Sequence, residues 1–255
     1  MTTLAVPGAT ITYDVIGGGP VLLLVPGGPA DATVFTPIRS LLAEDHTVVT
    51  YDPRGLSRSP LDGEPPAVGI LREHADDVHR LLAEVGPADV LASSGGAVTM
   101  LEHVLRHPGD VRTVVLHEPP ITRYLPAETL AGPDIPAIFR DQGVGAAFPA
   151  FMATLGIDPP PPLDPRGEGN FAYFFGHLMP AVGAYDPDLD ALRATSARLV
   201  VGAGEKSAGQ PAHESGLGLA ADLGLIAQPF PGDHGGFAAE PEAFAARLRE
   251  VLKGR

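Results

Sequence analysis

Val90-Leu91-Ala92-Ser93-Ser94-Gly95-Gly96-Ala97-Val98 decides the fold: a short apolar run stops at a serine set among small residues, and a helical pattern starts directly after it. The stretch predicts a strand, a sharp turn and a helix. A serine on such a turn is held in a cramped backbone conformation with its hydroxyl aimed out of the sheet. The residues two before and two after it meet across the turn, so both must be small. Ala92 and Gly96 meet that demand for Ser94, whereas Ser93 has Leu91 two residues before it, so Ser94 is the expected nucleophile. A serine hydroxyl is weak on its own, and the chain must supply a base, an acid and oxyanion donors elsewhere.

On the amino-terminal side, Thr10 to Val15 alternates like a strand and breaks at Gly17-Gly18-Gly19-Pro20, which predicts an antiparallel edge hairpin. Val21-Leu22-Leu23-Leu24-Val25 is uniformly apolar, as a strand covered on both faces would be, and runs into Pro26-Gly27-Gly28-Pro29. Val34, Phe35, Ile38, Leu41 and Leu42 keep helical spacing, and Thr47 to Tyr51 is the next buried strand. Leu71, Ala75, Val78, Leu82 and Val85 mark one helix face before the serine strand. Beyond the serine, Val98, Leu101, Val104 and Leu105 mark a helix that stops at Pro108-Gly109, and Val111 to Leu116 is a strand entering His117-Glu118-Pro119-Pro120. Strand-helix alternation of this kind predicts a parallel sheet.

The rhythm then fails. Residues 121–190 are proline-rich, with Pro159 to Pro162 consecutive, and hold nine of the fifteen Phe and Tyr residues, which reads as a cap inserted into the domain. Alternation resumes with Ala197 to Val201, a helix carrying Leu217, Leu219, Ala220 and Leu223, a strand from Ile226 to Phe230, and a last helix with Phe244, Leu248, Val251 and Leu252. The expected layout is therefore 1–120 as the first part of the core, 121–190 as the cap and 191–255 as the second part of the core.

Composition excludes several classes of function. Lys+Arg 17 against Asp+Glu 31 gives a formal charge of -14, which repels nucleic acid and anionic membrane surfaces and favours a small neutral or apolar substrate. With Cys 0, disulfides, thiolate catalysis and cysteine metal sites are absent. No signal-like segment precedes the first strand, and no apolar run approaches the roughly 18 residues of a membrane span, so a cytoplasmic protein is expected.

Ligands of open parallel sheets bind beyond the carboxyl ends of the strands. The residues at those places are Gly28, Ser94, Glu118, Glu205 and, in Pro231-Gly232-Asp233-His234-Gly235-Gly236-Phe237, His234. The order serine, acid, histidine, with the serine turn, resembles the α/β-hydrolase superfamily over essentially the whole chain. Asp52-Pro53-Arg54-Gly55-Leu56-Ser57-Arg58-Ser59 is similar to that family's D-x-R-G-x-G-x-S turn, with Ser57 in place of the second glycine. The resemblance implies the α/β-hydrolase fold: a mostly parallel central sheet flanked by helices, with an inserted cap. It implies His234 as base and the backbone N–H groups of Gly28 and Gly95 as oxyanion donors.

Two glutamates compete as the acid. Glu205 follows the strand ending near Val201, where most α/β-hydrolases carry it. Glu118 ends the strand after the serine helix, an alternative placement that some members use. Leu56 to Ser59, Ser93-Ser94-Gly95 and His117 to Pro120 together resemble the fungal zearalenone lactone hydrolases, whose acid occupies the Glu118 position, so Glu118 is favoured with Glu205 as the alternative. His103 and His107 lie four apart on a helix and have the spacing of a shared metal site. No HExxH glutamate or third ligand accompanies them, so the expectation is a solvated helix face and no metal.

The resemblance implies acyl transfer without a cofactor: Glu118 orients His234, His234 takes the Ser94 proton, and Ser94 attacks a carbonyl. The expected function is a serine esterase or lactonase of the EC 3.1.1 type. Pro29 and the cap residues Phe148, Phe151, Tyr173, Phe174, Phe175 and His177 are candidates for contact with an apolar or aromatic substrate, although the same side chains would serve equally to pack the cap onto the sheet. The partner expected is a small-molecule ester or lactone, and a homodimer is compatible with the chain. Competing readings are carbon-carbon bond hydrolysis, perhydrolysis by the same triad, and a ligand receptor that keeps the fold without turnover.

Overall fold

Side chains alternate across a strand, so the unbroken apolar run Val21–Val25 needs cover on both faces, and the chain supplies it. The computed structural model describes residues 1–66, 68–155 and 163–254. Its strands are β1 (Thr2–Val6), β2 (Ala9–Gly17), β3 (Val21–Val25), β4 (Thr47–Tyr51), β5 (Ala88–Ser93), β6 (Val111–His117), β7 (Arg198–Gly204) and β8 (Gln228–Phe230). They form one sheet in the order β1-β2-β4-β3-β5-β6-β7-β8. The hairpin β1-β2 and the β2-β4 pair are antiparallel; every later pair is parallel.

The helices of the layers are α1 (Thr36–Leu42), α2 (Ile70–Val85), α3 (Gly95–Arg106) and, after the segment between β6 and β7, α10 (Pro211–Leu223), α11 (Gly236–Ala239) and α12 (Pro241–Lys253). Leu23, Val25, Val90, Ala92, Val114, Leu116 and Val201 face one way and pack with α2, α3 and α10. Leu22, Leu24, Val48, Leu91, Val115 and Val200 face the other way, onto Ile38 and Leu42 of α1 and Phe244, Leu248 and Val251 of α12. Each fully buried leucine contributes about 1.5–3 kcal/mol relative to exposure.

Between β6 and β7 the described residues form helices: a 3-10 turn (Thr122–Tyr124), α4 (Ala127–Leu130), α5 (Ile135–Gln142), α6 (Val144–Thr154), α7 (Pro165–Tyr173), a π-helical turn (Phe174–Leu178), α8 (Met179–Gly183) and α9 (Leu189–Ala194). The proline run at 159–162 lies outside the described residues. Phe148, Tyr173, Phe174, Phe175 and Leu178 form a third apolar cluster that rests on Leu56 and on Ile70 at the start of α2. The π turn widens the helix by a residue and lets Phe174, Phe175 and Leu178 all turn inward.

Three sequence expectations are corrected. Leu217 is 38 % exposed, because two residues along a helix is about 200° and α10 turns Leu219 inward. Ile226 is 86 % exposed and stands outside the last strand, which begins at Gln228. His103, expected on a solvated face, is fully buried and hydrogen-bonds through Nδ1 to the Ala75 carbonyl, because α3 packs that face against α2.

Candidate active site

Ser94 follows β5 with φ 55° and ψ -127°, a left-handed conformation that a residue with a Cβ adopts only under constraint. The constraint is visible around it. Its N–H donates to the His117 carbonyl at 2.9 Å, and its own carbonyl accepts from Ala97 N at 2.9 Å, which starts α3. A Cβ on Gly96 would lie 2.4 Å from the Pro26 carbonyl oxygen, and one on Gly27 would lie 2.3 Å from that of Ser93. Only glycine fits at these two close approaches. Ser93 is buried within β5, paired in register with His117, whereas Ser94 is half-buried at the turn.

Glu118 occupies the same place after β6, also with positive φ (51°), and its N–H donates to the Gly202 carbonyl of β7. Its carboxylate is fully buried. Oε2 lies 2.6 Å from His234 Nδ1, and Oε1 accepts from the Gly204 N–H at 2.8 Å and from the Ser207 hydroxyl. Burial pushes its pKa up, but the hydrogen bonds from His234, Ser207 and Gly204, with the nearby His117 ring, prevail and bring it from the ordinary 4.5 down to about 2. The carboxylate is thus charged at neutral pH and fixes the imidazole by Nδ1. Glu205 has an exposed side chain that makes no contact with His234; its N–H bonds to Phe230 O.

His234 is carried on the loop between β8 and α11. Gly232 (φ 82°) and Gly236 meet there: a Cβ on Gly236 would lie 2.1 Å from the Pro231 carbonyl, which forces the loop to double back. The His234 side chain is 38 % exposed, and neither its Nε2 nor the Ser94 hydroxyl has a hydrogen-bond partner among the described residues. Hydrogen bonds of this kind are often long before substrate binds. Beneath, His117 is fully buried among Phe230, Phe237 and Phe244, and burial pushes it down to about 4, so it is neutral.

Gly28, with φ 61°, and Gly95 face each other: a Cβ on Gly95 would stand 3.3 Å from the Gly28 nitrogen. Both line a small cavity, closed by Phe174, Leu178 and Val182 from the helical segment and by Tyr51, His74 and Thr99 from the core. Of the residues expected to touch substrate, Phe174 lines this cavity. Phe148, Phe151 and Phe175 pack ring against ring with Phe171 and Phe174 inside the helical segment instead. Tyr173 covers Gly55, its hydroxyl 3.3 Å from His74 Nε2, and the His177 ring lies tilted against that of Tyr173 at 5.3 Å. Pro29 offers its carbonyl to Asn170 rather than lining the cavity.

Several residues here carry no local sequence signal. Asn170 of α7 donates to Pro29 O at 3.0 Å and accepts from Ser57 N at 2.8 Å; the Ser57 hydroxyl bonds Asp31 at 2.5 Å. This ties the Gly28 loop, the turn at 52–59 and the helical segment together. Ser207 and His213 reach Glu118 from after β7, with His213 Nδ1 3.4 Å from Oε1. The turn at 52–59 has a positioning role: buried Asp52 accepts from Ala32 N and Arg58 N, while Arg54 clamps Asp77 of α2 by two bonds of 2.6 Å.

The alpha/beta hydrolase fold family model matches residues 20–184. The chain is 34 % identical over 98 % of its length, and over 95 % of the relative, to the uncharacterized hydrolase YraK of Bacillus subtilis (strain 168). Among solved structures it resembles the esterase EaEST from Exiguobacterium antarcticum, with a TM-score of 0.78, 20 % identity and 99 % of both chains covered. It also resembles the enol-lactonase from Burkholderia xenovorans LB400, with a TM-score of 0.74, 19 % identity, and 98 % of this chain and 99 % of that one covered.

Proposed function

Since this chain belongs to the alpha/beta hydrolase fold family, we propose that it is a serine hydrolase that cleaves a carboxylic ester or lactone through an acyl-enzyme on Ser94. The observation that carries the proposal is the 2.6 Å contact between the buried Glu118 carboxylate and His234 Nδ1. Held there, the imidazole keeps its hydrogen on Nδ1 and presents Nε2 as the base. Nε2 takes the Ser94 proton as Oγ attacks the carbonyl, and Glu118 stabilises the resulting imidazolium. The tetrahedral oxyanion lies between the Gly28 and Gly95 N–H groups, at the amino end of α3 where the helix dipole is positive. The imidazolium returns the proton to the leaving oxygen, and water, deprotonated by the same imidazole, releases the acid and regenerates Ser94.

In this reading the helices at 121–190 form the cap, and Phe174, Leu178 and Val182 give the acyl or lactone group an apolar contact. The likeness to an esterase and an enol-lactonase supports the substrate class. The fold and the -14 charge fit a cytoplasmic enzyme acting on small neutral molecules, and no helix among the described residues is long and apolar enough to cross a membrane. The test is hydrolysis of a panel of neutral p-nitrophenyl esters and lactones, followed by stopped flow and by pH-stat. Turnover with a burst of one product equivalent per chain, abolished in Ser94→Ala, is expected. A folded wild type inert towards both classes would overturn the substrate assignment.

A further inference from the structure

At the end of the sheet away from Ser94, side chains from α2, from α3 and from the turn into β6 converge. The Asp110 carbonyl accepts from Ala88 N at the amino end of β5, whereas Ser94 follows its carboxyl end. His79 and His107 stack with ring centroids 4.0 Å apart and planes 9° from parallel, and His79 Nδ1 lies 2.7 Å from Asp110 Oδ2. One ligand atom from each of His79, His107 and Asp110 falls within 4.8 Å of the others.

His103 approaches the same carboxylate from the buried side. Its side chain is 0 % exposed, and its Nε2 has no hydrogen-bond partner among the described residues while standing 3.5 Å from Asp110 Oδ2. The Ala75 carbonyl 3.1 Å from Nδ1 can only accept, so Nδ1 carries the hydrogen, and in the neutral ring Nε2 is a bare lone pair. A lone pair on a fully buried ring therefore faces a carboxylate oxygen of Asp110, whose side chain is 23 % exposed. Two acceptors so placed repel unless a positive charge sits between them. On the outer side, His107 Nε2 lies 2.8 Å from Asp76 Oδ1, and Arg106 holds that carboxylate at 2.9 Å. A carboxylate on the far nitrogen is the arrangement that orients and strengthens a ligating imidazole, and it leaves His107 Nδ1 for the ion.

We propose that His79, His107 and Asp110, with His103 Nε2 facing them, form a binding site for a divalent transition-metal ion of the Zn²⁺ class. Imidazole nitrogens with one carboxylate suit Zn²⁺, Cu²⁺ or Ni²⁺ rather than the oxygen-seeking Mg²⁺ or Ca²⁺. Binding takes the hydrogen off the ligating nitrogen of each imidazole or uses the tautomer that already lacks it. The two stacked rings turn so that their in-plane lone pairs meet at the ion, and the bond between His79 and Asp110 gives way to a shared metal. The ion ties α2 to the end of α3 and to the turn before β6, a junction separate from the Ser94 site.

The test is isothermal titration of ZnCl₂ into tag-free, EDTA-treated full-length protein: wild type, His79→Ala, Asp110→Asn and His234→Ala. Circular dichroism melting of each variant checks that it is folded, and His79, half-exposed, keeps one cluster variant available if Asp110→Asn does not fold. One equivalent of Zn²⁺ per chain is expected, with affinity at least tenfold weaker in the cluster variants and unchanged in His234→Ala, and with a rise in melting temperature on binding in wild type and His234→Ala that the cluster variants lack. Ester hydrolysis by His79→Ala stays within twofold of wild type. No stoichiometric binding, equal binding in wild type and His79→Ala, or loss only in His234→Ala would each overturn the proposal.

Discussion

Glu118 holds a charge in a place without water because every oxygen has a donor: His234 on Oε2, Gly204 N–H and Ser207 on Oε1. Its pKa, near 2 when folded and near 4.5 when unfolded, is depressed, so its contribution to stability is present above about 4.5 and is lost as pH falls towards 2. A shift of this size corresponds to about 3 kcal/mol. Chemical denaturation of wild type should therefore lose stability more steeply between pH 4.5 and 2 than that of Glu118→Gln, and parallel profiles would contradict the assignment. In turnover, Glu118→Gln should lower kcat by about 10⁴-fold, as loss of the orienting carboxylate does in such triads. Glu205→Gln should stay within about twofold, since an exposed side chain that makes no contact with His234 contributes little. Residue identity alone left these two glutamates competing, because the rule that places an acid after a strand holds for both. What separates them is the doubling back of the Gly232–Gly236 loop, which brings His234 over β6, and that three-dimensional fact has no local signature.

At the scale of elements, the turns between them carry most of the information. The demand for a small residue at 96 was legible because a strand-turn-helix with a serine at its apex brings that position against its neighbours, and a Cβ there would lie 2.4 Å from the Pro26 carbonyl oxygen; the equally tight approach at Gly27 was not read from the sequence. Gly96→Val should cost about 1–3 kcal/mol or more by overpacking against the Pro26 carbonyl, read as a lower denaturant midpoint with an unchanged slope. The strands at 21–25 and 47–51 match the apolar runs because a strand covered on both faces reads as an unbroken run that ends where the turn residues begin. The helical segment was legible only as an interruption. Its aromatic content fitted substrate contact and internal packing alike, and Phe148 packs on Phe171 and Phe151 on Phe175 while Phe174 reaches the cavity. Asn170 joins that segment to the Gly28 loop through Pro29 and Ser57. Asn170→Ala leaves the Ser57 N–H without its acceptor, should cost about 1–3 kcal/mol, and should lower kcat more than it raises KM, because it loosens the oxyanion loop rather than the acyl contact. A change confined to melting temperature would reduce Asn170 to a structural tie.

The whole molecule is an acidic α/β sandwich whose two ends differ in kind. The carboxyl ends of β3, β5 and β6 carry the glycine loop, the serine and the glutamate, in the arrangement expected of open parallel sheets. The opposite end carries the histidine cluster: His103 and His107 were expected on a solvated face because no third ligand accompanies them in sequence, whereas His103 is buried and the partners His79 and Asp110 come from other elements. The surplus of Asp and Glu acts over the whole surface rather than at one residue. For an anionic ester KM should fall as ionic strength rises from low salt to about 0.15 M, where the Debye length is about 8 Å, and for a neutral ester it should stay flat. Equal behaviour of the two would show that the net charge does not govern substrate choice.

The central claim is that Ser94 is activated by His234 and Glu118. Intact-mass analysis after treatment with a small fluorophosphonate, with peptide mapping, tests it without a guess at the substrate. A single adduct on Ser94 of wild type, absent from Ser94→Ala and slowed about 10³-fold or more in Glu118→Gln, is the predicted result. A folded wild type left unlabelled, or an adduct that persists in Ser94→Ala, would contradict it.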